Sequence, residues 1–433
     1  MSRPPALRNT TLGNALDSTK HTIKWSMLSV VVGITVGFAA VAFTGSLNWG
    51  IAQLVGLRTT TWLYFLPVLG LFLSGYFTSK FAPEAAGHGT DAVIRAYNQQ
   101  WGRTDLAAIP IKLIASVVTI ASGGSAGREG PTVQMGGGLG YLIGRTLGLD
   151  VYDMRRVVVC GMGASFGAIF TAPIAGGIFG TEAMYRDDLQ YTDLFASFLS
   201  SITAYYFYSV VLGKDRLFNM TTPVAYEFSP ARDIVKFIVL GVLVGIISMF
   251  FIKGLYGYEH LSNKLPLAPY FRTALGGLLT ALTAVAVSPM ILGTGMSIIE
   301  KLTWPDGFTT AAMASLLIGK IAATSFTIGS GGSGGVVAPS LSTGALTGAL
   351  FAKVVGHPYP VAIIAACAVG LLGSAAHLPI TTTILAAELF GLDLLLPATI
   401  ISFVGSWIAR GDTLYRESHI SKLEQSKVTY HFE

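Results

Sequence analysis

The sequence predicts an all-α polytopic membrane protein built from two inverted-topology repeats of tilted and broken helices. Three observations carry this reading. The 433 residues are 52% hydrophobic and only 12% charged, where an ordinary soluble domain carries about 25% charged residues. The chain is written twice, at an offset of 206–208 residues. Several apolar runs are too short to span a bilayer and are broken by glycine or proline, a pattern that fits transporters better than simple bundles.

Taken in order, residues 1–24 read as a cytoplasmic N-terminal segment. The start Met1-Ser2-Arg3-Pro4-Pro5 is polar and lacks a cleavable signal pattern. Residues 25–212 form the first transmembrane half, opening with the apolar stretches Ile23–Leu57 and Trp62–Tyr76. Pro110–Ala121 is shorter and is expected to enter the membrane and stop partway. Residues 213–412 form the second half, with Ile234–Ile252 and Ala274–Leu292 as long stretches and Ala338–Val355 as a broken one. Residues 413–433 are expected to supply a pore-facing helix and a short cytoplasmic tail. Between these elements, Asp187-Asp188 and Glu259-His260 read as solvated interhelical loops. Tyr205-Tyr206-Phe207-Tyr208 reads as a membrane interface or a packing face.

Charge and cysteine content narrow the function classes. Lys20, Lys24, Arg155 and Arg156 flank apolar segments, and Arg410, Arg416, Lys422 and Lys427 crowd the C-terminal end. The positive-inside rule then puts both termini in the cytoplasm. A net charge of +5, dispersed along the chain, argues against a nucleic-acid partner. Cys160 and Cys367 both lie in apolar runs and read as buried small hydrophobes. No spacing suggests a metal site, and no organic cofactor is expected.

The duplication carries the functional argument. Lys112 to Gly127 matches Lys320 to Gly335, and Pro131, Gly136 and Gly140 pair with Pro339, Gly344 and Gly348, all 208 residues apart. Gly87-His88-Gly89 pairs with Gly293-Thr294-Gly295, Ala172-Pro173-Ile174 with Leu378-Pro379-Ile380, and Glu182 with Glu388, each 206 apart. If each half has an odd number of spans, the halves lie in opposite orientations and their broken helices meet near the midplane. Helix N-termini carry free N–H groups and partial positive charge, so converging N-termini make an anion site. The Gly-rich entries at 121–127 and 329–335 let backbone amides approach an ion with no Cβ in the way. Others, such as Gly136-Gly137-Gly138 and Gly176-Gly177, serve close helix packing. Arg128 and Glu129 stand in an otherwise apolar region, and an ionisable residue there is a functional-site hypothesis by default.

Gly127-Arg128-Glu129-Gly130-Pro131, followed by Gly335-Val336-Val337-Ala338-Pro339, resembles the motifs of the CLC family of chloride channels and chloride/proton antiporters. The resemblance runs from about residue 25 to 420, over nearly the whole transmembrane chain. It implies a CLC-type fold, chloride as substrate, protons as a second substrate, and a homodimer with one pore per subunit in the lipid bilayer. It implies that Glu129 is the external gating glutamate, whose carboxylate competes with chloride and carries a proton. Arg128, Glu129 and Gly130 match the amides of the outer anion site, and Val336 and Val337 those of the central site. Val337 stands where the family has phenylalanine, a mild change if the ligand is a backbone amide. Lys112 matches a basic residue that makes the pathway attractive to anions. Tyr415 matches the tyrosine that closes the central site from the cytoplasm. The compact chain suggests a bacterial or archaeal plasma (inner) membrane.

Two departures from the family pattern bear on mechanism. The family's Gly-Ser-Gly-Ile-Pro is here Gly87-His88-Gly89-Thr90-Asp91. His88 thus replaces the anion-binding serine. Either its imidazole N–H donates to the anion, or Thr90 supplies a hydroxyl, or His88 turns away to cap a helix. The second departure is Ala183, which stands at the family's internal proton-carrying glutamate, with Glu182 one residue before it. Alanine relays no proton. Glu182, His88 or water then performs the inner step, or the protein is a passive, pH-gated or voltage-gated chloride channel. A different class, an intramembrane serine hydrolase, is suggested by two Gly-x-Ser-x-Gly matches, around Ser125 and Ser333, with His377 as base. The pattern is weak in a chain with 51 glycines.

Overall fold

The computed structural model describes residues 8–58, 61–213, 226–304 and 307–419. The first half runs α1 (Arg8–Arg58), α2 (Leu66–Phe81), α3 (Thr90–Gln99), α4 (Ala108–Ala121), α5 (Glu129–Thr146), α6 (Val151–Phe170), α7 (Pro173–Glu182) and α8 (Leu194–Leu212). The second runs α9 (Pro230–Asn263), α10 (Pro269–Ala286), α11 (Met296–Leu302), α12 (Thr310–Gly329), α13 (Val337–Val355), α14 (Pro360–Ala376), α15 (Pro379–Phe390) and α16 (Leu395–Ile408). Each helix of one half has its counterpart in the other. The short 3-10 turns at Pro83–Ala85 and Tyr191–Asp193 recur at Pro289–Ile291 and Leu392–Leu394. The fold is all-α, as the sequence predicts.

Local chemistry places the breaks. Thr171 and His377 adopt left-handed backbone (φ 52° and 54°) and end α6 and α14, after which Pro173 and Pro379 start new helices at once. Proline is suited to a first helical turn because its missing N–H would lack a partner there anyway. Asp150 caps α6 by accepting from the Asp153 N–H at 2.9 Å.

Four helical segments among the described residues are long and apolar enough to cross a membrane: Thr19–Leu54, Tyr191–Leu212, Pro230–Asn263 and Thr310–Gly329. Trp62–Tyr76 and Ala274–Leu292 instead yield the shorter α2 and α10. Large apolar side chains stand exposed on the outer helices, including Phe38, Val235, Phe250 and Trp407, as a lipid-facing surface requires.

Small residues set the interhelix distances. A Cβ on Gly136 would lie 2.4 Å from the Gly161 carbonyl, and one on Gly161 would lie 2.0 Å from that of Gly136. The backbones of α5 and α6 therefore touch, and no side chain fits between them. Two seams join the halves, α2 against α10 and α7 against α15. The second is locked reciprocally. Glu182, at the end of α7, accepts from the N–H groups of Ile380 (2.9 Å) and Thr381 (2.7 Å) and the Thr381 hydroxyl (2.5 Å). Glu388, on α15, accepts from the N–H groups of Ile174 (2.9 Å) and Ala175 (2.8 Å). Each carboxylate satisfies free N–H groups in the other half's first turn.

Helix α1 begins at Arg8, so the stretch read as an N-terminal segment is helical from that residue. Two expectations are corrected. Residues 413–419 form turns rather than a helix, and 420–433 lie outside the described residues. Glu259 and His260 sit on the last turns of α9, not in a loop, because the helix outruns its apolar stretch and carries them past it.

Candidate functional site

The two halves meet at glycine. The Gly127 N–H donates to the Gly335 carbonyl and the Gly335 N–H to the Gly127 carbonyl, both at 2.7 Å. This antiparallel bridge brings the starts of α5 and α13 together from opposite directions. A third N-terminus joins them. The Gly334 N–H donates to the Gly87 carbonyl at 3.1 Å, and a Cβ on Gly130 would lie 2.3 Å from the His88 carbonyl. The turn before α3 is thus pressed onto the starts of α5 and α13. Partial positive charge from these helix ends accumulates at one place.

Glu129 occupies that place. Its side chain is 1% exposed. Its carboxylate folds back over Gly127, where an added Cβ would lie 2.2 Å from Oε2 and 3.1 Å from the Ala338 nitrogen. The N–H groups of Arg128, Glu129 and Ala338 surround it, yet none meets it at full hydrogen-bond geometry. Free N–H groups and partial positive charge at helix N-termini favour a negatively charged group, and the Glu129 carboxyl lies against them. Arg128 and Val336 are the residues that precede α5 and α13, and Gly130 and Val337 lie in their first turns. Gly130, Val336 and Val337 are buried.

Lys112 is fully buried. Its ammonium donates to the carbonyls of Ala85 (3.0 Å) and Gly87 (2.7 Å). Lys320 repeats this in the second half, donating to Ile291 (3.0 Å) and Gly293 (2.8 Å). Both lysines brace the turns before α3 and α11. Lys320 was legible as Lys112's partner in the repeat, although the motif reading assigned it no role.

Tyr415 is 1% exposed, with its hydroxyl buried beside Thr90 and making no full hydrogen bond. Its ring lies 6.1 Å from that of His88. His88 does not cap α3 through its side chain. Instead Nε2 meets Asp91 Oδ2 at 3.2 Å, while Nδ1 is buried without a partner. His88 and Asp91 border a cavity of about 360 Å³ with Arg95, Tyr256, Glu259, Arg416 and Glu417. Arg416 lies 3.3 Å from the Tyr256 ring centroid and 3.8 Å from Glu259, and Arg95 pairs with Glu417 at 2.8 Å. The sequence reading gave this charged lining no role at a site: Glu259 was read as a solvated loop residue and Arg416 entered only the topology argument.

Ala183 is buried at the end of α7. Glu182 is engaged in capping α15 and borders a second cavity, of about 500 Å³, with Arg186, His377 and Arg410. The hydrolase pairing does not form. Ser333 Oγ bonds to Ser116 Oγ (2.9 Å) and the Ala85 carbonyl (2.8 Å), Ser125 Oγ bonds to Thr324 (2.9 Å), and His377 Nε2 meets the Asp412 carbonyl (3.0 Å). Cys160 and Cys367 are free and buried. No group of metal-ligating side chains occurs among the described residues.

An uncharacterised protein of Methanocaldococcus jannaschii is 28% identical over 397 residues, covering 91% of this chain and 95% of that protein. The fold is similar to that of a CLC-type fluoride/proton antiporter, with TM-score 0.83 and 24% identity over 92% of this chain and 98% of that one. It is also similar to a slow cyanobacterial chloride/proton antiporter, with TM-score 0.79 and 21% identity over 94% and 98% of the two chains. A eukaryotic CLC transporter matches at TM-score 0.73 and 16% identity, over 92% of this chain and 74% of that one. At these identities the structures establish a common fold. Residues 70–410 also match the model of the voltage gated chloride channel family, and with that match the chain belongs to the CLC family of anion transporters.

Proposed function

We propose that the protein moves chloride across a bilayer in exchange for protons, with Glu129 as external gate and proton acceptor. One observation carries the reading: the Glu129 carboxylate sits where three helix N-termini converge, the seat a chloride ion would take. Ionised, the carboxylate blocks the pathway. Protonated, it loses its attraction to the helix ends, leaves, and lets an anion in. Competition for one seat couples the two ions without any cofactor. The amides of Arg128, Glu129 and Gly130 would serve the outer ion, those of Val336 and Val337 the central one, and Tyr415 would close the inner side. Lys112 would contribute fixed positive charge and hold the turn that lines the path.

A second reading, a passive chloride channel, is favoured by one fact. The position of the internal glutamate holds Ala183, and neighbouring Glu182 spends its carboxylate on helix α15. The family implies a homodimer; the placement of basic residues favours cytoplasmic termini, and a bacterial or archaeal inner membrane is the proposed setting.

Proton flux in liposomes separates the readings. An outward chloride gradient is imposed at zero pH gradient, with voltage clamped near zero by potassium and valinomycin. Exchange gives proton uptake with chloride efflux, and Glu129→Ala abolishes the proton movement. Chloride efflux without protons makes the protein a channel. Repeating the assay with fluoride, nitrate and bromide tests the choice of chloride.

A further inference from the structure

We infer that His88 and Asp91 form a proton relay that takes the place of the internal glutamate absent at Ala183. The inference rests on the exchange reading above. Exchange needs a proton route from the side away from Glu129, and the two side chains nearest the family's position are unsuited. Ala183 has no titratable atom. The Glu182 carboxylate already accepts three hydrogen bonds from the start of α15.

The His88 site has the required geometry. Asp91 borders the 360 Å³ cavity, and its carboxylate meets His88 Nε2 at 3.2 Å. On the other edge of the ring, Nδ1 is buried and has no partner, in a side chain only 9% exposed. A buried polar atom without a partner is costly, and in a native structure it calls for a function. The ring tilts against Tyr415, whose hydroxyl is likewise buried and without a full hydrogen bond. The backbone of the same histidine packs on Gly130, the residue after Glu129. One ring thus connects a carboxylate at the cavity with the buried pathway.

The surroundings hold the pair in place. The Glu417 N–H reaches Asp91 Oδ1 at 3.5 Å, and Glu417 is itself held by Arg95. Glu259 and Tyr256 from α9 and Arg416 from the C-terminal segment face the pair across the cavity. Lys112 from α4 braces the carbonyl of Gly87 behind it. Glu84 borders the same cavity, and Glu129 stands near Tyr415 on the pathway side. An imidazole has two ring nitrogens that can each hold or release a proton, and the Asp91 carboxylate on one of them orients the ring.

The step moves a proton only. An O–H bond of a hydronium ion in the cavity breaks as an N–H bond forms on His88, giving an imidazolium whose charge Asp91 offsets. The Nδ1–H bond then breaks as an O–H bond forms on a pathway water, which leaves the neutral imidazole with its proton on Nε2 facing Asp91.

The test is the ratio of protons to chloride in voltage-clamped liposomes, for wild type, His88→Ser, Asp91→Asn and Glu129→Ala. A relay predicts that the ratio falls at least fivefold in His88→Ser, because proton flux drops by more than chloride flux does. Asp91→Asn, which retains the shape of the pair, lowers the ratio in the same direction. The dependence of proton flux on pH at the cavity side flattens in His88→Ser. If wild type is coupled and both variants keep its ratio, the relay is wrong and the exchange reading stands. If His88→Ser lowers both fluxes equally, His88 is an anion ligand and the relay is again wrong. If wild type moves no protons, the exchange reading fails and takes the relay with it.

Discussion

Replacing Glu182 with alanine tests whether this carboxylate is a structural clamp or a proton carrier. Its oxygens accept at 2.9, 2.7 and 2.5 Å from two amides and a hydroxyl at the start of α15. Hydrogen bonds to a charged group contribute roughly 1.5–3 kcal/mol each, and a buried donor left unpaired costs about 1–3 kcal/mol. These overlap, since they describe the same groups, so, counting only the three donors left unpaired, the expected loss is at least about 3 kcal/mol. Glu388 is the internal control. It makes the same clamp in reverse with two bonds, at 2.9 and 2.8 Å, from a less buried side chain. Water can replace part of what it supplies, so Glu388→Ala should cost about 1–2 kcal/mol. Thermal unfolding in detergent should therefore rank wild type above Glu388→Ala, and Glu388→Ala above Glu182→Ala. Glu182→Gln should fall between wild type and Glu182→Ala, because its amide keeps one acceptor. Transport by the folded fraction should keep its proton-to-chloride ratio in all three. An unchanged melting temperature in Glu182→Ala, together with a lost ratio, would refute the clamp and make Glu182 the proton carrier.

Lys112→Met and Lys320→Met should each lower stability by about 2–3 kcal/mol, by leaving two buried carbonyls without a donor; chemical denaturation of the two variants checks this. Gly335→Ala should lose at least tenfold in anion flux, since its Cβ would lie 2.8 Å from the Gly130 nitrogen and 3.0 Å from the Gly127 carbonyl, forcing the starts of α5 and α13 apart. Normal flux in folded Gly335→Ala would mean that the bridge does not set the pathway. Ser333→Ala should leave the protein equally unreactive towards serine-directed phosphonates, because the Ser333 hydroxyl is bonded to Ser116 and a carbonyl rather than to an imidazole; labelling of wild type but not the variant would revive a hydrolase reading.

The sequence by itself determined the all-α membrane class, the duplication and the ends of the helices that matter. These are local properties. Apolar run length, glycine and proline breaks and a repeated motif act within a few residues, and Gly127 to Pro131 announces the start of α5 wherever the helix goes. Tertiary structure decided which side chains are free to act. Glu182 and Glu129 are both acidic residues in glycine-rich surroundings, yet Glu182 is consumed by N–H groups 198 and 199 residues away, while the Glu129 carboxylate makes no full hydrogen bond. His88 was readable as a departure from the motif, but its orientation towards Asp91 depends on the turn at Gly89, with φ 86°. The same holds for Arg416 over Tyr256 and for Lys320, whose partners come from distant stretches of chain. Periodicity says where a helix lies; only packing says what meets its side chains.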